Sequence, residues 1–181
     1  MGSQEKGDFE VSPDGVLIRY RGKDEDVVIP AGIREIGPSA FVDVKGVERM
    51  ILKGEEYDAP AMETLTVPDG VEAIGDYAFA YCLNLKSAEI ADSVRKIGWR
   101  AFEGCESLRK VRLPAGLEEI GEYTFFLCES LKTVAIPDSV KKIGAGAFDG
   151  SGLKKACIPA GVQEIGKDAF PERTEILSGK G

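Results

Sequence analysis

The sequence predicts an α/β solenoid, a stack of similar coils with strands on one face and a short helical turn on the other. Three observations carry this reading. The dipeptide Ile-Gly recurs with its Ile at 36, 74, 97, 120, 143 and 165, in steps of 38, 23, 23, 23 and 22 residues. Three residues beyond each Gly stands Ala, or Thr124 once, followed by Phe: Phe41, Phe79, Phe102, Phe125, Phe148 and Phe170. A Pro at 30, 68, 114, 137 and 159 precedes the Ile-Gly pair, with Ala91 the exception. A fixed period of this length marks a repeat architecture. One 23-residue unit cannot bury its apolar positions alone, so copies stack and each touches only its neighbours.

Each element follows in order. Phe9–Val11, the turn Ser12-Pro13-Asp14-Gly15 and Val16–Tyr20 read as strand, turn, strand. Residues 1–26 are therefore a tail and a hairpin that caps the first coil, as a solenoid end requires. Residues 27–176 hold six coils. The 38-residue step contains an insertion at about 47–61, around MILKGEEYDAP, expected to leave the stack as a loop or small hairpin. Within a coil, Leu131, Val134 and Ile136 alternate as a half-buried strand. Pro137-Asp138-Ser139 turns the chain, Val140 and Ile143 point inward again, and Phe148 fills the interior from a helical turn. Gly144 serves either a positive φ or a close approach between coils. Residues 177–181 are a tail, and 170–176 give only a partial cap, which leaves end-to-end association of an otherwise monomeric chain open.

Composition excludes several functions. The chain is 43% apolar and 30% charged, with a net charge of −8. That balance suits an ordered domain and argues against a nucleic-acid binder or an anionic-membrane binder. No apolar run approaches the roughly 18–20 residues of a membrane span. The opening MGSQEKGDFE has no apolar signal core. There is no histidine, which removes the commonest general base and zinc ligand together. Nucleotide-binding, nucleophile-elbow and metal-ligand spacings are lacking, and Asp24-Glu25-Asp26 is too short for a calcium loop. The expectation is a non-enzyme without cofactor or metal.

The stretches IPDSVKKIGAGAFDG and VPDGVEAIGDYAFAYCLNL resemble the BspA-type class of bacterial leucine-rich repeats, and the resemblance covers about 27–176. It implies a curved solenoid with a parallel sheet on the concave face and short helices on the convex face. It also implies an extracellular or cell-surface protein that takes part in adhesion, and the expectation is a module that binds protein or glycan through its concave sheet. The alternative is a spacer or stalk domain with no ligand of its own. The chain departs from the general leucine-rich pattern in lacking the asparagine after the strand, where Ser139 or Gly116 stands.

Cys82, Cys105 and Cys128 each follow the repeat Phe by three residues and so form a column. Neighbouring coils lie ~4.8 Å apart, and parallel Cβ vectors at that separation exceed the ~3.5–4.5 Å of a disulfide. A shared metal would need sulfurs roughly 4 Å apart. The column is read as buried apolar thiols. Cys157 differs, because it takes the outward place between two inward strand residues, where Thr66, Glu89, Arg112 and Ala135 stand in other coils.

Two charge columns contrast. In the second run, Glu72-Ala73, Arg95-Lys96, Glu118-Glu119, Lys141-Lys142 and Gln163-Glu164 alternate in sign from coil 3 to coil 6, which fixes register. The column after the repeat Leu instead runs Glu63, Lys86, Arg109, Lys132, Lys154, with Lys110, Arg112 and Lys155 beside it. Like charges in a ladder repel, so this edge is either a binding site for an anionic ligand or a solvated surface that discourages aggregation. A second candidate is convex: Tyr77, Tyr81, Trp99, Tyr123, Phe126 and Leu127 form either a partner patch or lateral packing between coils.

Overall fold

The computed structural model describes residues 4–178. An antiparallel meander opens the chain, made of β1 (Gln4–Lys6), β2 (Phe9–Val11) and β3 (Val16–Tyr20). Next come β4 (Asp26–Val28), β5 (Glu35–Ile36), helix α1 (Val44–Lys53), β6 (Thr64–Val67), β7 (Ala73–Ile74) and β8 (Ser87–Ile90). They are followed by β9 (Lys96–Ile97), β10 (Lys110–Arg112), β11 (Glu119–Ile120) and β12 (Lys142–Ile143). The chain ends in β13 (Lys155–Ile158), β14 (Glu164–Ile165) and β15 (Glu175–Ser178).

These strands build two parallel ladders. The concave ladder runs β4-β6-β8-β10, with Val27, Leu65, Ala88 and Val111 aligned and pointing inward. The second ladder runs β3-β5-β7-β9, then β11-β12-β14. Here the Ile of each Ile-Gly in coils 1 to 5 is buried, from Ile36 at 0% exposed to Ile97 at 4%. The hairpin joins this ladder in parallel, Leu17 opposite Ile36, so the cap continues the stack.

The interior is a column of rings. Phe41, Phe79, Phe102, Phe125, Phe148 and Phe170 stack in succession with centroids 4.7–5.4 Å apart. Tyr20 and Phe9 of the hairpin extend the same column at 4.9 and 4.8 Å. Stacked rings add to the burial energy of large aromatic side chains.

The convex segments are chains of turns rather than helical turns, a departure with a clear cause. The residue before each Ala-Phe (or Thr-Phe) pair is left-handed: Ser39, Tyr77, Arg100, Tyr123, Gly146 and Asp168 have φ between 53° and 59°. A left-handed residue stops an α-helix. Alternate N–H groups then point across to the next coil. Tyr77, Phe79 and Tyr81 donate to the carbonyls of Trp99, Ala101 and Glu103, and Arg100, Phe102 and Gly104 to those of Glu122, Thr124 and Phe126. A helix would consume these donors within the coil.

The glycine of Ile-Gly answers to close approach. Gly75, Gly98, Gly144 and Gly166 are not left-handed. A Cβ on Gly144 would lie 2.5 Å from the Glu122 nitrogen, and one on Gly98 2.6 Å from the Asp76 nitrogen, both backbone atoms of the preceding coil. Gly121 has more room, with its nearest neighbour the Thr124 hydroxyl at 3.2 Å.

Three further expectations are corrected. The insertion is helical in its first half: α1 (Val44–Lys53) runs into it, Val47 is buried, and 54–61 is loop. Left-handed Gly54 ends the helix, donating to the carbonyl of Met50. The loop-or-hairpin expectation overlooked the apolar spacing of Val44, Val47 and Ile51, which is that of a helix face. Second, coil 5 has no first strand. From Lys132 to Ile136 no peptide group has a hydrogen-bond partner among the described residues, although Leu131, Val134 and Ile136 keep the repeat pattern. The next coil begins one residue early, Leu153 following Phe148 by five where Leu131 follows Phe125 by six. The break in the ladder sits beside this deletion. Third, residues 177 and 178 belong to β15, which pairs with β13 in parallel, so the tail expected over 177–181 is strand at its start. Residues 1–3 and 179–181 lie outside the described residues.

The far end is half covered. Strand β15 closes the concave ladder, but Ile165 is 48% exposed.

Candidate functional site on the concave face

The basic ladder comprises seven cations, and the structure divides them. Lys86 is ion-paired with Glu63 of the preceding coil. Arg112 donates to the Ile90 carbonyl at 2.7 Å and to the Asp92 carboxylate at 2.9 Å. Lys155 meets Glu175 at 2.9 Å. Arg109, Lys110, Lys132 and Lys154 are exposed and have no ion-pair partner among the described residues. These four cluster on coils 4 to 6, around the run Lys132–Ile136 whose peptide groups are open.

Strand geometry places three of the seven, Lys110, Arg112 and Lys155. Side chains alternate across a strand, so with Val111 and Ala156 inward, Lys110, Arg112, Lys155 and Cys157 face outward. Along the outward row nearer the strand ends, Cys157 lies opposite Leu177, which is 40% exposed, and Ala135 holds the equivalent place in coil 5. The face thus carries cations on one side and a short apolar strip on the other.

Cys157 is exposed, whereas Cys82, Cys105 and Cys128 are buried, and all four are free thiols. Cys105 donates to the Phe79 carbonyl and Cys128 to the Phe102 carbonyl, each at 3.2 Å. Burial pushes Cys105 up to about 12 and the other two well above the ordinary thiol range. The thiolate is the reactive form, so a maleimide is expected to modify Cys157 alone in the folded protein. Mass spectrometry with and without denaturant checks this, and label on any column cysteine under native conditions contradicts it. Among the described residues no group of three or more potential ligands could hold a metal ion.

The convex aromatics pack against one another, between coils for Tyr77 and Trp99 and within coil 4 for Tyr123 and Phe126. Tyr77 meets Trp99 edge-on at 5.0 Å, and Tyr123 meets Phe126 at 5.5 Å. Between them lies Arg100, stacked over Trp99 at 4.8 Å and Tyr123 at 4.4 Å. Arg100 is also paired at 2.7 Å with Glu103, which is 3% exposed, and Tyr81 donates to the same carboxylate. Burial, then Glu103, raises the Tyr81 phenol to about 12. Trp99 keeps a 39% exposed flank. Reading by columns missed Arg100 and Glu103 because no other coil repeats them; their three-residue spacing was the available signal.

The second ladder carries part of its expected pairing. Lys142 contacts Glu119 at 3.3 Å and Glu164 at 4.0 Å, and Arg34 contacts Glu72 at 3.5 Å. Hydrogen bonding to Glu119 raises the Lys142 pKa. Arg95 instead donates to the Asp92 carbonyl.

Comparison with known proteins agrees with this architecture. A family model described as a BspA type leucine rich repeat region matches residues 54–176 in 6 copies. The chain belongs to the BspA-type leucine-rich repeat family. Among solved structures it is similar to a leucine rich cell surface protein from Faecalibacterium prausnitzii, at 28% identity and a TM-score of 0.65, covering 97% of this chain and 54% of that one. A leucine-rich repeat protein from Bacteroides ovatus is 35% identical with a TM-score of 0.61, over 64% of this chain and 33% of that one. The leucine-rich repeat protein of T. pallidum is 29% identical with a TM-score of 0.63, over 96% and 69%. The chain thus spans about half and one third of the length of the first two. No curated protein matches it.

Proposed function

We propose that this chain is a non-catalytic binding module of a bacterial surface protein and that it holds an anionic ligand, protein or glycan, on its concave face. The observation that carries this reading is the set Arg109, Lys110, Lys132 and Lys154, exposed and without an ion-pair partner among the described residues, in a chain of net charge −8. Lys86, Arg112, Lys142 and Lys155 are ion-paired, and other cations without an ion pair among the described residues, such as Arg19 on β3, Lys45 on α1 and Lys96 on β9, stand singly on different elements. A concentrated unneutralised patch steers anionic partners and gives salt-sensitive association. The cell-surface description of the Faecalibacterium relative supports an extracellular setting. The test is a binding screen against matrix proteins and sulfated glycans. Ligands that bind are expected to lose about tenfold or more in affinity with Arg109→Glu/Lys132→Glu. Affinity unchanged by that double variant contradicts the reading.

A second reading, a spacer within a longer surface protein, is favoured by the open last coil. Ile165 is 48% exposed where the equivalent residues of the other coils are 0–4% exposed, a surface that fits a further coil.

A further inference from the structure

Resting on the concave-face reading above, we infer that the ligand is an acidic amphipathic polypeptide segment, with carboxylates on Arg109, Lys132 and Lys154 and apolar side chains on Ala135, Cys157 and Leu177. Three features of the face select this chemistry. The first is the pitch of the cations. Arg109, Lys132 and Lys154 occupy the same position in successive coils, and the interior rings of those coils stack 5.3 Å apart. Carboxylates one turn apart on a helix face are separated by about 5–6 Å, which matches this interval. Same-face carboxylates on an extended strand, about 7 Å apart, do not.

The second feature is the apolar strip. Leu177 is 40% exposed and lies opposite Cys157, itself exposed, with Ala135 in the neighbouring coil's equivalent place. A polysulfated chain has nothing to place there, whereas an amphipathic peptide buries apolar side chains on it. The third is the open backbone of Lys132–Ile136, set between the cations of coils 4 and 6. Its N–H groups have no partner among the described residues, and a carboxylate drawn in by Lys132 can accept from them in place of water.

The probes are three: a peptide with Glu and Leu at helical spacing, polyglutamate of equal length, and heparin. Fluorescence anisotropy of each is measured against the whole chain at low and moderate salt. The Glu/Leu peptide is expected to bind best and to weaken as salt rises. Arg109→Glu/Lys132→Glu should weaken it about tenfold, while Lys45→Glu/Lys167→Glu, an equal change of net charge elsewhere, leaves it within about twofold. Leu177→Ser should weaken the peptide by about threefold or more and leave heparin unaffected. Circular dichroism establishes that each variant is folded, and Arg109→Gln/Lys132→Gln stands in for a charge reversal that is not. Heparin or polyglutamate binding as tightly as the peptide, through the same residues, overturns the peptide assignment and leaves the concave site standing. Peptide binding indifferent to both Arg109/Lys132 variants overturns the site as well. A Glu/Leu peptide that does not bind overturns the inference.

Discussion

Gly144→Ala is expected to destabilise the protein by about 3 kcal/mol, while Gly121→Ala, at the same position one coil earlier, changes stability by less than about 1 kcal/mol. The contrast separates two reasons for a recurrent glycine. Had the Ile-Gly column been selected for a left-handed φ, alanine would be costly at every member. These glycines are not left-handed, so the penalty depends on what the new methyl meets. At Gly144 it meets the Glu122 nitrogen at 2.5 Å, backbone that cannot move without breaking the inter-coil hydrogen bonds of Arg100 and Tyr123. At Gly121 it meets a threonine hydroxyl at 3.2 Å, which a small rotation relieves. Urea denaturation of both variants measures the difference, and equal losses contradict the close-approach account.

Phe125→Ala should cost about 3–5 kcal/mol, a large part of the ~5–15 kcal/mol that keeps a typical domain folded. The ring is fully buried and lies nearly parallel between Phe102 at 5.4 Å and Phe148 at 5.3 Å. Removing it leaves a cavity lined by rings held in place by coils above and below, so the site cannot collapse. Phe170 closes the column, with Phe148 on one side and only partial burial. Phe170→Ala is therefore expected to cost roughly half as much. Thermal or urea unfolding of the two variants checks the ordering. A larger loss at Phe170 would mean that the end of the column, rather than its middle, sets stability.

Much of the fold is legible because repeats turn sequence periods into columns. The Phe column, the buried cysteine column and the opposite-charge contacts of Lys142 all follow from a 23-residue offset. What was not legible lies where the period fails. Tyr20 and Phe9 join the ring column from a hairpin with no Ala-Phe signature, so only three-dimensional stacking reveals them. Helix α1 falls in an insertion, about which the repeat says nothing. The missing strand of coil 5 has an intact Leu-x-x-Val-x-Ile pattern, and the departure from the period beside it is the next connection, one residue short.

The candidate site was half legible for the same reason. Outward placement of Lys110, Arg112 and Lys155 follows from strand alternation, whereas Arg109 and Lys154 lie just ahead of β10 and β13, and Lys132 lies in a coil without a first strand. Their neutralisation depends on acids reached at unequal offsets. Lys86 finds Glu63 one period back, but Arg112 reaches Asp92 and Lys155 reaches Glu175, each across 20 residues. Among the convex aromatics, Arg100 with Glu103 ties Trp99, Tyr123 and Tyr81 together, a pairing present in one coil alone, and Trp99 keeps an exposed flank.

The central claim is that anionic ligands meet this protein on the concave face of coils 4 to 6. Its most direct test is an amide chemical-shift map of the 15N-labelled chain, titrated with the Glu/Leu peptide and with heparin. The account predicts that the shifted amides cluster at 109–112, 132–136 and 154–157 and return to their free positions at high salt. Shifts centred instead on the convex turns at 99–104 and 122–127, or spread without focus over the surface, would contradict it.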